Sequence, residues 1–258
     1  PSLIDSNITD KRFDDLNDLK QIDKFTFEMD HGINSIAYLF TPNLSNQKLI
    51  IYHQGHSGGF ILGKSTINYF LDQGYSILAF SMPLTGMNNS PTIHLDPFGP
   101  IIFQEHKQFA LLDTQNFSSL NYFFTPITLS LNYVDQNFNF ESYNMIGLSG
   151  GGWVSTIYPT LDTRISQSFA VASSLPMSLR NIPDDIGDYE QITPELYEIA
   201  NYPEFYVMSS FGTERKFVQI FNEYDPCCFA GTTYKSYEDD IKQKINELGT
   251  RKFDILLD

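Results

Sequence analysis

The stretch YNMIGLSGGGWVSTIY, residues 143–158, decides how this chain is read. Tyr143–Gly147 has the composition of a strand and Gly150–Thr160 the periodicity of a helix. Gly147-Leu148-Ser149-Gly150-Gly151 therefore falls on the turn between them, the setting in which G-x-S-x-G places a nucleophilic serine on a sharp elbow. Such a turn excludes bulk on either side of the serine, and Gly147, Gly150 and Gly151 supply that freedom. The Ser149 hydroxyl is then held out at the end of a strand, with a helix N-terminus behind it that favours negative charge. The competing reading is a glycine-rich turn with an incidental serine. The strand before the motif and the helix after it favour the nucleophile.

Outward from this point, strands and helices alternate. Residues 11–23 carry Phe13, Leu16 and Leu19 at near-helical spacing and predict a short surface helix. Residues 24–30 and 34–41 alternate in polarity, and the His31-Gly32 step between them predicts a hairpin. Lys48–His53 (KLIIYH) is a continuous apolar run suited to a strand buried on both faces. Ile61–Gln73 predicts a helix stopped by Gly74, and Ser76–Ser81 the next strand. Phe117–Val134 predicts a helix that Pro126 kinks or splits. After the elbow come a strand at Ile165–Ala172, an irregular stretch at 173–215, a strand at Phe217–Asn222, a helix at Tyr234–Leu248 ending at Gly249, and a last strand at Phe253–Leu257. This alternation predicts an α/β fold, a largely parallel sheet with helices on both faces. In such sheets the chemistry gathers at the carboxyl ends of the strands.

At 258 residues the chain fits one domain, residues 1–258, with no repeat or linker to divide it. It has 16 Lys and Arg against 31 Asp and Glu, a net charge of −15. Only Arg164 and Arg180 lie between Gln108 and Thr213. No basic stripe exists to neutralise phosphates, so neither nucleic acid nor an anionic membrane surface is an expected partner. No apolar run reaches the ~20 residues of a membrane span. The two cysteines, Cys227 and Cys228, are adjacent. Neighbouring Cα atoms lie ~3.8 Å apart, short of the usual disulfide separation of ~4.4–6.8 Å, so they are expected as free thiols in a buried turn. A place in the site wall or a soft-metal ligand pair is the sharper alternative. No metal-type spacing is present elsewhere.

Two further segments carry chemistry. His53-Gln54-Gly55-His56-Ser57-Gly58-Gly59 follows the Lys48–His53 strand. Acyl transfer needs two backbone N–H donors aimed at the developing oxyanion. One comes from the residue after the nucleophile, Gly150. The other is expected from this loop, at His56 with Gly55 next. The His53 ring is expected to pin the loop by a hydrogen bond. Asn222-Glu223-Tyr224-Asp225-Pro226 follows a later strand and offers the carboxylate that orients a catalytic imidazole. Asp225 is the first candidate and Glu223 the reserve. The plain alternative is an Asp-Pro turn.

These three segments, in this order, resemble the α/β-hydrolase superfamily over four-fifths of the chain, from about Lys48 to the end. The GHSGG loop resembles that of bacterial esterases of the acetyl-xylan-esterase and dienelactone-hydrolase kind, and the strings GLSGGGW and YDPCCFAG an uncharacterised bacterial branch. The resemblance implies a three-layer fold with a central, mostly parallel sheet of about eight strands and a Ser-Asp-His triad. It implies a serine hydrolase of carboxylic esters, small acyl groups favoured, acting through an acyl-enzyme on Ser149. It implies a small-molecule ester as the partner and no metal or organic cofactor. Peptidase and acyltransferase chemistry live on the same fold, and a non-catalytic binding protein of this fold is the rival from another class. The superfamily takes its histidine third, after the last strand. All five histidines here, His31, His53, His56, His94 and His106, precede Ser149. We expect the natural protein to continue past Asp258 with a histidine within about 15 residues, the sequence being trimmed at both ends.

Three features complete the reading. Trp153 is expected in the core. Residues 83–109 are aromatic and proline-rich; His94 and His106 lie there as candidate substrate contacts, along with His53, against the simpler expectation of surface histidines. Residues 176–212 are the candidate cap, and their acids Asp184, Asp185, Asp188 and Glu190 are expected mainly as a solvated face.

Overall fold

The structure, a computed structural model, describes residues 1–249 and 252–258. The chain forms two units, residues 1–142 and 143–258. In the first unit the strands are β1 (Leu3–Asp5), β2 (Leu19–Glu28), β3 (Asn34–Pro42), β4 (Lys48–His53) and β5 (Ser76–Phe80), lying in the order β1-β2-β3-β5-β4. β1, β2, β3 and β5 pair antiparallel, and β4 joins β5 in parallel. The β2–β3 pair is the predicted hairpin. Its tip is a 3₁₀ turn, Asp30–Gly32, in which His31 and Gly32 both have positive φ. β2 alternates from Asp23 onward, burying Asp23, Phe25 and Phe27 on one face, while Ile22 is buried on the other. β4 is buried from Leu49 to His53 and β5 along its whole length, as continuous apolar runs require.

Residues 11–23 do not form the expected helix. A single 3₁₀ turn, Lys11–Phe13, is capped by Asp10, and β2 begins at Leu19. Phe13 packs against Tyr38, Phe40 and Phe60. Strand pairing captured Leu19, so the helical spacing of Phe13, Leu16 and Leu19 was coincidental. A 3₁₀ turn, Phe60–Gly63, leads into α1 (Lys64–Asp72), and Gly74 stops it at φ 79°. The proline-rich stretch holds an unforeseen hairpin, β6 (Thr92–Leu95) with β7 (Gly99–Ile102). α2 (Asn121–Asn137) runs through Pro126 without being split. Pro126 sits on its buried side, where packing compensates for the missing N–H.

In the second unit β8 (Ser142–Leu148), β9 (Ile165–Val171), β10 (Lys216–Phe221) and β11 (Phe253–Leu257) form a wholly parallel run in chain order. α3 (Gly150–Leu161) crosses from β8 to β9 and is buried from Gly150 to Pro159, Trp153 included. Residues 173–215 are more helical than their prolines predict. They hold α4 (Pro183–Ile186), α5 (Tyr189–Ile192), α6 (Pro194–Tyr197) and α7 (Tyr202–Ser210). Proline at the first turn of α4, α6 and α7 starts these helices, because its missing N–H is unpaired there in any case. α7 packs on α3 and touches β10, β11 and α8 (Glu238–Glu247). It belongs to the layer over the sheet, so 176–212 as a whole is not a cap. No helix among the described residues is long and apolar enough to cross a membrane.

Asp10 ties the N-terminal segment to β3. It accepts hydrogen bonds from the Arg12 guanidinium and from the Tyr38 hydroxyl at 3.0 Å. These contacts, the Arg12 bond first, pull its carboxyl down to about 2. A carboxylate depressed on folding contributes stability that is complete above its ordinary range and is lost as pH falls through the folded value. Asp10→Asn should therefore melt below the wild type at about pH 6, and the gap should close steadily from about pH 4 toward 2. Thermal melts across that range check it; a gap that ignores pH would mean the ionised form is not what Asp10 contributes.

Candidate active site

Ser149 stands between β8 and α3 with φ 55° and ψ −120°. Only a small fraction of non-glycine residues adopt positive φ, at a cost of about 1–3 kcal/mol, and such strain collects at functional sites. The surroundings hold it in place. The Ser149 N–H donates to the Val171 carbonyl at the end of β9 (2.8 Å), and its carbonyl accepts from the Trp153 N–H (2.9 Å). Gly150 is the first residue of α3, a position whose N–H has no acceptor within its own helix. Ser149 is half-buried.

The glycines act differently from the expectation. A Cβ on Gly147 would lie 2.0 Å from the Gly151 carbonyl oxygen, and one on Gly152 2.7 Å from both the Val171 oxygen and the Ser173 Cβ. Gly147 and Gly152 thus let α3 close onto β8 and β9. Neither Gly150 nor Gly151 has positive φ.

Asp225 lies four residues beyond β10. Leu148 pairs with Val171, and Val171 with Ile220. Ser149 and Asp225 therefore leave the same carboxyl edge two strands apart. Two strand spacings are roughly 10 Å, a span that a serine, an imidazole and a carboxylate can fill. Asp225 Oδ1 accepts from the backbone N–H groups of Cys227 (2.9 Å) and Cys228 (3.3 Å). The turn reading of Asp-Pro is thus part of the structure, and it also orients the carboxylate. Asp225 is half-buried, whereas Glu223 is exposed, which keeps Asp225 ahead of the reserve.

Cys227 and Cys228 form a disulfide across a Cα separation of 3.7 Å. This overturns the expectation of free thiols. The usual Cα window describes cysteines brought together by folding, whereas adjacent ones close a small ring through their shared peptide. Nor is the turn buried: Cys227 is exposed and Cys228 half-buried.

Asp184, Asp185, Asp188 and Glu190 do not form one solvated face. Asp184 is exposed, but Asp185 is buried and accepts from the Phe229 N–H. Asp188 caps α5, and Glu190 is fully buried. Arg180, which no motif marked, organises this segment. Its Nε donates to the Leu175 carbonyl (2.8 Å) and its Nη1 to the Ile186 carbonyl (2.7 Å) and Gln191 Oε1 (3.1 Å). Its guanidinium lies 4.4 Å from the Tyr202 ring centroid and 5.4 Å from that of Phe229. Its one sequence signal was scarcity, as the lone arginine of an acidic stretch. Beneath lies a polar chain: Tyr237 donates to Gln219 Oε1 (3.0 Å), Gln219 Nε2 donates to the Ser174 carbonyl (3.4 Å), and the Ser174 hydroxyl meets the Tyr206 hydroxyl (3.1 Å). Burial pushes the Tyr206 and Tyr237 phenols upward, so both stay neutral.

In the first unit, the loop after β4 crosses the turn that follows β5. A Cβ on Gly86 would lie 2.5 Å from the Gly59 Cα, and the Phe60 N–H donates to Ser81 Oγ (3.0 Å). His53 is buried, its Nδ1 hydrogen-bonded to the Gln54 carbonyl (3.0 Å) and its ring stacked on Phe80. That is the pinning role expected of it. The half-buried His56 ring lies 5.0 Å from that of His106. His106 is buried, with Nε2 hydrogen-bonded to the Pro83 carbonyl (2.9 Å) and its ring against Phe109 and Phe123, so the surface expectation fails for it. His94 on β6 is exposed beside Asp96. His31 bonds the Tyr122 hydroxyl (2.7 Å) at the β2–β3 tip.

No protein-family model and no curated protein matches the sequence. Solved structures do match. An acetyl xylan esterase from Paenibacillus sp. R4 superposes with a TM-score of 0.64 at 14% identity, over 98% of this chain and 81% of that one. The esterase Pf2001 of Pyrococcus furiosus gives 0.61 at 12%, over 93% and 80%. An acylaminoacyl peptidase of Pyrococcus horikoshii gives 0.60 at 14%, over 95% of this chain and 38% of that one. The chain has the α/β-hydrolase fold.

The elbow makes a sharp stability contrast. Gly147→Ala should destabilise by about 3 kcal/mol or more, because its Cβ meets backbone that cannot retreat. Gly32→Ala enters open space at φ 71° and should cost only about 1 kcal/mol. Urea denaturation of both variants measures the difference; equal losses would mean that α3 can move away from β8.

Proposed function

We propose that this chain of α/β-hydrolase fold is a serine hydrolase of carboxylic esters that acts through an acyl-enzyme on Ser149. The observation that carries the reading is the Ser149 backbone, held at φ 55° on a strand-to-helix turn by glycines with no room for a side chain. Positive φ recurs at other turn residues of the chain, such as His31 at φ 59° and ψ 18°. At Ser149 it is combined with ψ −120°, outside the left-handed helical region, and strain of this kind collects at functional sites. The carboxyl edge of β8, β9 and β10 supports the rest, because it presents Ser149 and Asp225 from the same side of one parallel run.

In this reading Ser149 Oγ adds to the ester carbonyl carbon as its proton passes to an imidazole base. The charge that develops on the carbonyl oxygen is met by the Gly150 N–H, reinforced by the α3 N-terminus. The carbon–oxygen bond to the alcohol then breaks, and the alcohol leaves with the proton. Water attacks the acyl-enzyme along the same path and releases the acid. Asp225 orients the imidazole and stabilises its cationic form. Small acyl groups are the favoured substrates. Support for that choice comes from the acetyl xylan esterases among the structural neighbours, which share the fold at 14–15% identity.

A fluorophosphonate probe should label the protein at one site, and Ser149→Ala should abolish the labelling. Absence of label on well-folded, intact protein would leave a binding protein of this fold instead. Asp225→Asn should keep the fold and lower turnover by about 10³–10⁴-fold. On p-nitrophenyl esters, acetate and butyrate should be cleaved faster than laurate, and the reverse order would sink the small-acyl assignment.

A further inference from the structure

The geometry points to a redox modification site at Cys227–Cys228: a disulfide that an external dithiol can open, and whose closed form holds the carboxylate of Asp225. The regulatory part of this inference rests on the serine-hydrolase reading. The thiol chemistry and the structural coupling do not.

The loop from Asn222 to Gly231 is anchored at two places. At its base the Gly231 N–H donates to the Asn222 carbonyl (3.2 Å) and the Tyr224 N–H to Asn222 Oδ1 (3.0 Å). At its far side the Phe229 ring is buried beneath the Arg180 guanidinium, and its N–H donates to Asp185. Between these anchors runs Asp225-Pro226-Cys227-Cys228. Its order comes from the Asp225 N–H, which donates to the Asn222 carbonyl (3.4 Å), from the two N–H groups converging on Asp225 Oδ1 and from the disulfide. Both donors belong to the disulfide-bonded residues themselves. The closed ring fixes the peptide that carries the Cys228 N–H, and so fixes how the pair faces Asp225. With the ring open, both cysteines regain backbone freedom, and the two-donor clamp is no longer enforced.

The site is also reachable. Cys227 is exposed and Cys228 half-buried, so an incoming thiolate can approach along the bond. One thiolate of the dithiol attacks Cys227 Sγ, forming a mixed disulfide and releasing Cys228 as a thiolate that takes up a proton. The second thiol of the reductant attacks its own bonded sulfur, leaves as a cyclic disulfide and frees Cys227 as a thiol. Two electrons and two protons pass from the dithiol to the cysteine pair. The oxidised form is the active one in this scheme, since it is the form in which Asp225 is held.

The test uses the intact protein and dithiothreitol. The chain has only two cysteines, so thiol counts are unambiguous. Native protein treated with iodoacetamide should gain no carbamidomethyl group, and after dithiothreitol it should gain two while remaining folded. Two thiols reacting without reductant, or a disulfide that resists dithiothreitol in the folded state, would overturn the redox site. Hydrogen exchange then reads the coupling. The Cys227 and Cys228 amides should exchange faster after reduction while the amides of α3 stay unchanged; unaltered exchange at the two cysteines would overturn the hold on Asp225. Fluorophosphonate labelling of Ser149 reads the consequence. Its rate should fall about 10- to 100-fold on reduction, the scale of a misplaced catalytic group, and recover on reoxidation. Cys227→Ser/Cys228→Ser should sit at the low rate and ignore dithiothreitol, and Asp225→Asn should also be insensitive. A labelling rate indifferent to redox state would remove the regulatory role. A protein that is never labelled but shows the thiol and exchange changes would remove the serine-hydrolase reading and leave the redox site standing.

Discussion

The contact between Gly147 and Gly151 is the constraint on which the second unit is built. The backbone of α3 runs so close to the end of β8 that a methyl group on Gly147 would overlap the Gly151 carbonyl. Gly152 allows the same approach to β9, whose Val171 carbonyl receives the Ser149 N–H. Once the helix is seated this tightly, the residue that joins strand to helix has little freedom, and Ser149 takes a backbone conformation it would otherwise avoid. The strain is local. It is sustained by ten consecutive buried residues of α3, Gly150–Pro159, which anchor the helix whatever the turn prefers.

The loops that leave the carboxyl edge of this sheet are held by a different device, a buried cation with uncharged partners. Arg180 spends its hydrogen bonds on the Leu175 and Ile186 carbonyls and the Gln191 amide, and its flat face on Tyr202 and Phe229. An arginine suits this position better than a lysine because its planar fork can serve several carbonyls and two rings at once. Asp185 adds a second tie, from α4 to the Phe229 backbone. The segment after β9 and the loop after β10 are thereby joined. Asp225 sits within that loop, and Ser149 at the β8 end of the same edge.

The histidines show how one residue type serves different ends. His53 secures its own loop through the Gln54 carbonyl, and His106 is enclosed by aromatic rings and bonded to the Pro83 carbonyl. His31 closes a hairpin tip onto α2 through Tyr122. His94 stands in solvent. Sequence neighbours do not separate these cases. His94 and His106 lie in one aromatic, proline-rich stretch, but the β6–β7 hairpin turns one outward and the 3₁₀ turn at His106–Leu111 turns the other in.

Local backbone structure was legible in the residues themselves. The elbow was, because glycines on both sides of a serine between an apolar run and a helical one leave few other structures. The buried strands β4 and β5 were, because continuous apolar runs of five or six residues have few soluble alternatives. So was the β2–β3 hairpin, because alternation and a His-Gly step are both local. What only the tertiary structure decided depends on distant contacts. Phe13 was drawn onto Phe40 and Phe60, which left no helix at residues 11–23. Proline-initiated helices filled 183–210 because α7 had α3 to pack on. Asp185 and Glu190 were buried although the same letters elsewhere form a solvated face. The bond between Cys227 and Cys228 lies in a turn where the Asp225 carboxylate gathers both cysteine N–H groups, an arrangement the usual Cα separation of a disulfide argued against. Periodicity reports which face of an element is apolar. It does not report which distant ring, carbonyl or carboxylate that face will meet, and those meetings set the environment of every candidate residue in this protein.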